Sequence, residues 1–416
     1  MLYTRRCPVG AVLLLGGTRI EPVRAAKAAG LRVAYLGAAS RTPRTILDSA
    51  DEYTLFEDPT PERLMRAARE MHRERPFGVA VTMVDRYLEA AALLNEEFGL
   101  PANRSDVVRT VNDKHRMRTA TLGSACGSVA YGAVHSAEDL RSFAGRHGYP
   151  FILKPVDGSA SRGIVLVDHD VTLKDTARSV GETVPSPASG WIAEEYLTGP
   201  EFSVETFSTD GTHHVLAVTE KFKGDNFVEV GHLVPARVTA ADRTAMAAEV
   251  AALLDAVGLT EGPAHTEVVL TGRGPRVIET HSRPGGDGIV ELVRLATGVD
   301  MQQLTFDWLA GKPVDPRPSP VPRASATWFL TPPEGTVTAV TGLDEALAQE
   351  GVTEGYTAIG PGDAVHPLRS SDDRGGAVIT VADDPDTALA RARAAAGRIS
   401  VTVAPAAAEH GGPVPR

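Results

Sequence analysis

The stretch Glu279-Thr280-His281-Ser282-Arg283-Pro284-Gly285-Gly286-Asp287 follows an apolar run at 276–280, and Glu267 lies in another run at 264–269. A short turn at 272–275 separates the two. An antiparallel pair joined in this way aims Glu267, Glu279 and His281 at one point, because alternate strand residues share a face. Clustered carboxylate oxygens with no cysteine nearby suit Mg2+ better than zinc, and Mg2+ commonly keeps phosphate oxygens among its remaining ligands. Arg283 falls two residues further along the same alternation, a planar fork suited to phosphate or carboxylate. The plainer alternative is a solvated hairpin edge decorated with charge, and the lysines upstream weigh against it.

At 416 residues the chain predicts two to four modules rather than one core. Hydrophobic residues at 43% and charged residues at 23% describe a soluble globular composition. The net charge of −11 argues against a protein that coats nucleic acid, so no nucleic-acid partner is expected. It does not oppose binding of an anionic nucleotide, because a few local lysines and a metal ion set the field in a pocket. Cys7 and Cys126 have neither metal-ligand spacing nor a disulfide framework, and read as ordinary thiols in a reducing compartment. The basic residues 1–6 run into an apolar segment that breaks at Gly16-Gly17 without a small-residue cleavage site, so no signal peptide is expected. No apolar run reaches spanning length, so no membrane association and a cytoplasmic location are expected.

Residues 1–104 read as a doubly wound parallel-sheet domain. Short apolar runs at 12–15, 33–36 and 79–82 alternate with helical patterns at 21–29 and 63–73, the second opened by Thr60 and Pro61. Gly16-Gly17 sits where a first strand hands over to a helix; it is no dinucleotide fingerprint, and tight turning is the simpler reading. In residues 105–190 Lys154 ends an apolar strand, and Asp157 to Gly163 is a small-residue turn that leads into another strand. Such a hairpin lets backbone N–H groups close over a phosphate, with a plain Gly/Ser hairpin as the alternative. Residues 191–312 are mostly strand, with one long helix near 240–257 opened by Thr239 and closed by Gly258. A Pro-rich linker at 313–322 leads to a small α+β module at 323–405, and residues 406–416 have the composition of a disordered tail.

In order, the charged features are Lys114, Lys154 with its Gly/Ser loop, Glu194-Glu195-Tyr196-Leu197, Glu201, Lys221 and Lys223, Glu267, and Glu279-x-His281-x-Arg283. This order resembles the ATP-grasp superfamily over residues 1–405, an α/β fold with α+β lobes. Within it, Phe227-Val-Glu229-Val-Gly-His232 and Arg283-Pro-Gly-Gly-Asp287 resemble the L-amino-acid ligases, which are carboxylate–amine ligases. The stretch Arg369 to Gly375 is similar to the closing module of those enzymes and of biotin carboxylases.

The resemblance implies ATP and Mg2+ as cofactors and small carboxylate and amine substrates of amino-acid type. It places Lys114 and Lys154 on ATP phosphates, with Ser159, Ser161 and Gly163 in the lid loop. Glu194, Glu195, Tyr196 and Leu197 become the adenine hinge, Glu201 holds the ribose, and Lys221 or Lys223 reaches the nucleotide. Glu267 and Glu279 bridge metal ions, Arg283 and Lys154 take catalytic roles, and Glu229 and His232 meet the amino-acid substrate. A homodimer is the prior taken from relatives.

One position departs from the pattern. The family has Glu-x-Asn where this chain has Glu279-Thr-His281. A neutral imidazole offers nitrogen, which Mn2+ tolerates better than Mg2+, so His281 has three roles open to it: metal ligand, phosphate donor or packing residue. His213, His214 and His265 read as ordinary strand or loop residues. The functions weighed are a ligase joining two free amino acids, a ligase loading a carrier protein or peptide, a biotin-carboxylase-like enzyme, and a non-catalytic nucleotide-binding protein.

Overall fold

The structure is a computed structural model that describes Tyr3 and residues 7–158, 162–182, 190–224, 227–318 and 323–404. Ser159 and Ser161 of the lid loop, residues 319–322 of the linker and the tail at 406–416 lie outside the described residues.

Strands β1 (Ala11–Leu15), β2 (Arg32–Ala38), β3 (Glu52–Phe56) and β4 (Val79–Val81) form a parallel sheet in the order β3-β2-β1-β4. All five residues of β1 are buried, as expected of a parallel strand covered on both faces. The helix Pro61–Glu74 starts where Thr60 accepts a hydrogen bond from the Arg63 N–H, as its sequence predicts.

A second, antiparallel sheet contains β5 (Tyr131–Val134), β6 (Phe151–Pro155), β7 (Val165–Val167) and β8 (Trp191–Glu195), in the order β5-β8-β6-β7. It carries Lys154 and Glu194 on neighbouring strands.

The largest sheet has eight strands. Its first five are β9 (Glu201–Thr209), β10 (Thr212–Lys223), β11 (Glu229–Val234), β12 (Gly262–Thr271) and β13 (Gly274–His281). The other three are β14 (Ala324–Leu330), β16 (Val352–Thr357) and β18 (Gly376–Ala382), and the order is β13-β12-β9-β10-β11-β14-β18-β16. The stretch read as a separate closing module thus places three strands in the same sheet as the charged hairpin. Its other strands, β15 (Gly335–Thr341), β17 (Ala364–Val365) and β19 (Ser400–Ala404), form a small sheet of their own.

The helix Ala240–Val257 supports this sheet from one side. Thr239 caps it through the Asp242 N–H, and Gly258 ends it in the left-handed region at φ 78°. Met246, Val250, Leu253 and Leu254 are fully buried against Phe202, Val204, Val268 and Val277. No helix among the described residues is long and apolar enough to cross a membrane.

This packing gives the first prediction. Leu254→Ala leaves a cavity beneath the strands that carry the charged residues and should destabilise the fold by about 3 kcal/mol. Urea unfolding followed by far-UV circular dichroism measures it; an unchanged midpoint would show that the helix is not part of the cooperative core.

Candidate active site

Cross-strand register sets the site. Glu267 on β12 and Glu279 on β13 stand directly opposite one another, and the ladder is irregular between Glu267 and Val268. Two like charges so placed repel unless cations lie between or beside them. Lys114 and Lys221 supply that charge. Lys114 is the first residue of the helix Lys114–Ala120, whose start Asp113 caps, and its ammonium lies 2.7 Å from Glu279 and donates to the Gly158 carbonyl at 2.7 Å. Lys221 of β10 bonds Glu267 and lies 3.0 Å from Glu229 and 3.7 Å from Glu201. Burial opposes the charge on both carboxylates, yet Lys221 draws Glu267, and Lys114 draws Glu279, below the usual carboxylate range.

Lys114, Lys221, Glu229, Glu267 and Glu279 line a cavity of about 340 Å3, together with Lys154, Arg283, His232 and Asp287. Lys154 is buried and lies 2.7 Å from Glu194, which also takes two hydrogen bonds from Arg118, at 2.7 and 3.2 Å. Burial pushes the Lys154 pKa down against the pull of Glu194. For Glu194, burial acts upward, but Arg118 and Lys154 outweigh it and hold the carboxyl at about 2.

A second cavity of about 90 Å3 adjoins the first, sharing Lys154, Ile164, Glu229, Glu267 and Ile278 with it. Glu195, Tyr196, Leu197 and Phe227 line it, and Tyr196 meets Phe227 edge-on at 6.3 Å. Glu201 and Lys223 stand at its side, joined at 2.6 Å. The four residues read as an adenine hinge are not equivalent. The Glu194 side chain is held by Arg118 and Lys154, and Glu194 and Glu195 both pair within the sheet. Tyr196 and Leu197 follow the end of β8, and among the described residues their backbone groups have no hydrogen-bond partner. Gly163 returns from the loop at φ 73° beside Pro155.

Arg283 is gripped by Asp85, the first residue of the helix Asp85–Glu97, through two hydrogen bonds of 2.5 and 2.6 Å. The sequence reading missed Asp85, which stands 198 positions from its partner and carries no local motif. Its pKa lies far below the ordinary value: burial opposes ionisation, and His281 and Arg283 overcome it. His281 places Nε2 3.2 Å from Glu279 and Nδ1 3.4 Å from Asp85. Burial opposes protonation of this imidazole, but the two carboxylates raise its pKa. Both nitrogens therefore face acidic oxygens, an arrangement that favours an imidazolium bridge over a metal ligand.

His265 is a strand residue, as read from sequence, but its surroundings were not legible there: it lines the main cavity, with Nδ1 2.9 Å from the fully buried Glu205 and Nε2 3.5 Å from Glu267. Register explains it, because β12 places His265 opposite Glu205 on one side and His281 on the other. Burial acts against its charge, but Glu205 raises its pKa to about 9.

At the far end of the cavity His232 is fully buried, and among the described residues neither ring nitrogen has a hydrogen-bond partner. Its Nε2 stands 3.8 Å from Asp287, beyond hydrogen-bond range. Asp287 takes a 2.6 Å bond from Arg374, whose guanidinium lies 3.7 Å over the Phe329 ring. Arg374 belongs to the Arg369–Gly375 stretch noted in the sequence, but its partner was not legible there.

The donor set fits a hard divalent cation. Glu267 and Glu279 provide opposed carboxylates, and one oxygen each of Glu201, Glu229 and Glu267 lie within 4.8 Å of one another. Of the three residues read as metal ligands, only Glu267 belongs to that second cluster.

The ATP-grasp domain model matches residues 147–291, and the ATP-grasp N-terminal domain model matches 23–102. The chain belongs to the ATP-grasp superfamily. Residues 328–404 of this ATP-grasp chain match the L-amino acid ligase C-terminal domain 2. A solved L-amino acid ligase from Bacillus licheniformis is 25% identical and superposes with a TM-score of 0.81, over 96% of this chain and 100% of that one. Alanine–anticapsin ligase from Bacillus subtilis strain 168 is 25% identical over 66% of this chain, and the match spans 62% of that relative's length. An L-arginine-specific L-amino acid ligase from Bacillus subtilis is 21% identical over 77% of this chain and 79% of its own.

The buried Glu194 cluster yields a pH prediction. Because its folded pKa of about 2 lies below the ordinary 4.5, its contribution is complete above pH 4.5 and is lost as pH falls toward 2. Glu194→Gln should destabilise the protein at neutral pH by about 3–5 kcal/mol, since it strands two buried cations. Denaturant melts of both proteins should show that gap narrowing below pH 4.5. A gap independent of pH would mean that Glu194 is not ionised in the fold.

Proposed function

We propose that this protein is an ATP-dependent, ADP-forming ligase that activates a carboxylate as an acyl phosphate and joins it to an amine. The supporting observation is the convergence of two opposed carboxylates, three buried lysines and Arg283 in one cavity. A carboxylate is a poor electrophile in water, so amide formation requires its oxygen to become a leaving group. Phosphoryl transfer achieves this, and its barrier falls chiefly through positioning and neutralisation of charge.

In this reading adenine enters the smaller cavity against Tyr196, Leu197 and Phe227, and Glu201 takes the ribose hydroxyls. Lys114 and Lys154 hold phosphate oxygens. Glu267 and Glu279 would hold Mg2+, which when bound neutralises phosphate charge and aligns the transferred group. Arg283, held by Asp85 through Nε and Nη2, offers its remaining Nη1 and Nη2 N–H groups to the substrate carboxylate and then to the acyl phosphate and tetrahedral intermediate. Glu229 and His232 face the first substrate. The ammoniums of Lys114 and Lys221 now rest on the carboxylates, so binding of nucleotide and metal shifts them toward phosphate. Amino acids as substrates are supported by the names of the relatives, of which the first is spanned over 62% of its length.

With an 18O-labelled carboxylate substrate and ATP, label should appear in inorganic phosphate, read by mass spectrometry. Label retained in the acid or released in AMP would exclude an acyl phosphate. Glu279→Gln keeps the shape but removes one charge, and should lower kcat at least about 100-fold, in the range reported for losing one electrostatic contact to a transition state. The apo variant should keep the wild-type far-UV circular dichroism spectrum while melting at a lower temperature, because the buried Lys114 loses its carboxylate partner. Near wild-type turnover at saturating Mg2+ would remove Glu279 from the metal site.

A further inference from the structure

In the N-terminal sheet, β2 and β3 extend to one side of β1 and β4 pairs on the other, so the chain changes direction between β1 and β4. In open parallel sheets the crevice beyond the carboxyl ends of such strands is where ligands bind. Here that crevice is a cavity of about 210 Å3, lined by Gly17, Thr18 and Arg19 after β1 and by Met83 and Val84 after β4. The glycines serve the tight turn read from sequence: Gly16 has φ 67°, Gly17 has φ 96°, and a Cβ on Gly16 would strike the Tyr87 ring.

Three features of the turn are left over. Gly16 donates to Leu36, but among the described residues the N–H groups of Gly17, Thr18 and Arg19 meet no acceptor. The helix Glu21–Ala28 that follows begins without a side-chain cap. The exposed Arg19 has no ion-pair or hydrogen-bond partner among the described residues. The fourth feature comes from elsewhere in the chain. Gln302, in the helix Met301–Leu309, is only 9% exposed and lines this cavity, and its amide has no hydrogen bond among the described residues. A buried amide without a partner is costly unless a ligand or water completes it. By contrast, two hydroxyls here are satisfied: Tyr35 donates to the Gly17 carbonyl at 2.6 Å and Thr82 to the Leu15 carbonyl at 2.6 Å. Leu14, Val23 and Val81 supply apolar wall.

Backbone N–H groups, a helix start, a guanidinium and a primary amide make an anion site with room for a small apolar body. Met83 and Val84 line it, and the next residue, Asp85, lines the main cavity and holds Arg283. We propose that this crevice binds the carboxylate of the amine-bearing substrate, with Arg19 and Gln302 as its recognition residues. The assignment rests on the ligase reading, because only a second substrate needs a second anion site beside the acyl-forming one.

The test uses the full chain, with ADP release followed across pairs of free amino acids. The productive amine substrate is then offered as its carboxamide, whose KM should rise about tenfold, the worth of one charge-assisted hydrogen bond. Gln302→Leu and Arg19→Ala should each raise the amine KM about fivefold or more while the ATP KM changes less than about twofold. Wild-type amine KM in both variants overturns the proposal, as does a rise confined to the KM of the acyl-donating substrate. Failure of the ligase reading looks different: no pair releases ADP. Binding is then read directly by saturation-transfer NMR with the same free amino acids. Signals that fade in both variants support the crevice as an anion site, and signals absent from the wild type or unchanged in the variants overturn it.

Discussion

The repulsion between Glu267 and Glu279 is the constraint around which the site is arranged. Strand register forces the two carboxylates together in a buried place, and the fold tolerates this only because cations arrive from elsewhere. Lys114 comes from a capped helix start, Lys221 from a strand two places away in the sheet, and His281 from the end of β13. Two of them are held by further acids, Lys221 by Glu201 and Glu229 and His281 by Asp85, while Lys114 donates to the Gly158 carbonyl. The result is an alternating lattice of charge, in which Lys221 and Lys114 hold Glu267 and Glu279 below the usual carboxylate range against the opposing effect of burial. A dianionic or more highly charged ligand with its own divalent cations can enter such a lattice by exchanging partners, without large net desolvation.

Much of this was legible because the chain writes it locally. The hairpin turn, the alternation and the acids at 267 and 279 stand within a span of thirteen residues, and the order of lysines upstream matched a known pattern. The long helix announced both ends, with Thr239 and Gly258 where capping chemistry needs them. What stayed hidden depends on distance along the chain. Asp85 belongs to another module from Arg283, Arg374 lies 87 positions from Asp287, and Glu205 meets His265 only through sheet order. A histidine in a strand carries no mark of the acid that will oppose it. The same limit applies to His281: its sequence position left metal ligand, phosphate donor and packing residue open, and its neighbours in space turn both nitrogens toward carboxylates.

The two cavities divide labour by composition. The smaller one has aromatic and aliphatic walls with backbone groups available at Tyr196 and Leu197, the character of a site for a flat heteroaromatic ring. The larger is lined by charge of both signs, suited to phosphates and zwitterions, with Pro155, Ile164, Ile278 and Ile289 as its apolar residues. Lys154 and Glu267 line both, so a ligand that spans them sits against the same two side chains at its middle.

The continuity of the eight-stranded sheet limits how the chain can be divided. β14 is hydrogen-bonded along β11, the strand that bears Glu229 and His232, and β18 and β16 continue outward from it. A protein truncated after the linker would expose the edge of β11, including the buried backbone of residues 231–234, to solvent and to other chains. Bare edges of this kind template intermolecular pairing. The segment after residue 323 is therefore hydrogen-bonded to the strand that bears Glu229 and His232, and cutting it away should leave an edge that pairs with other chains.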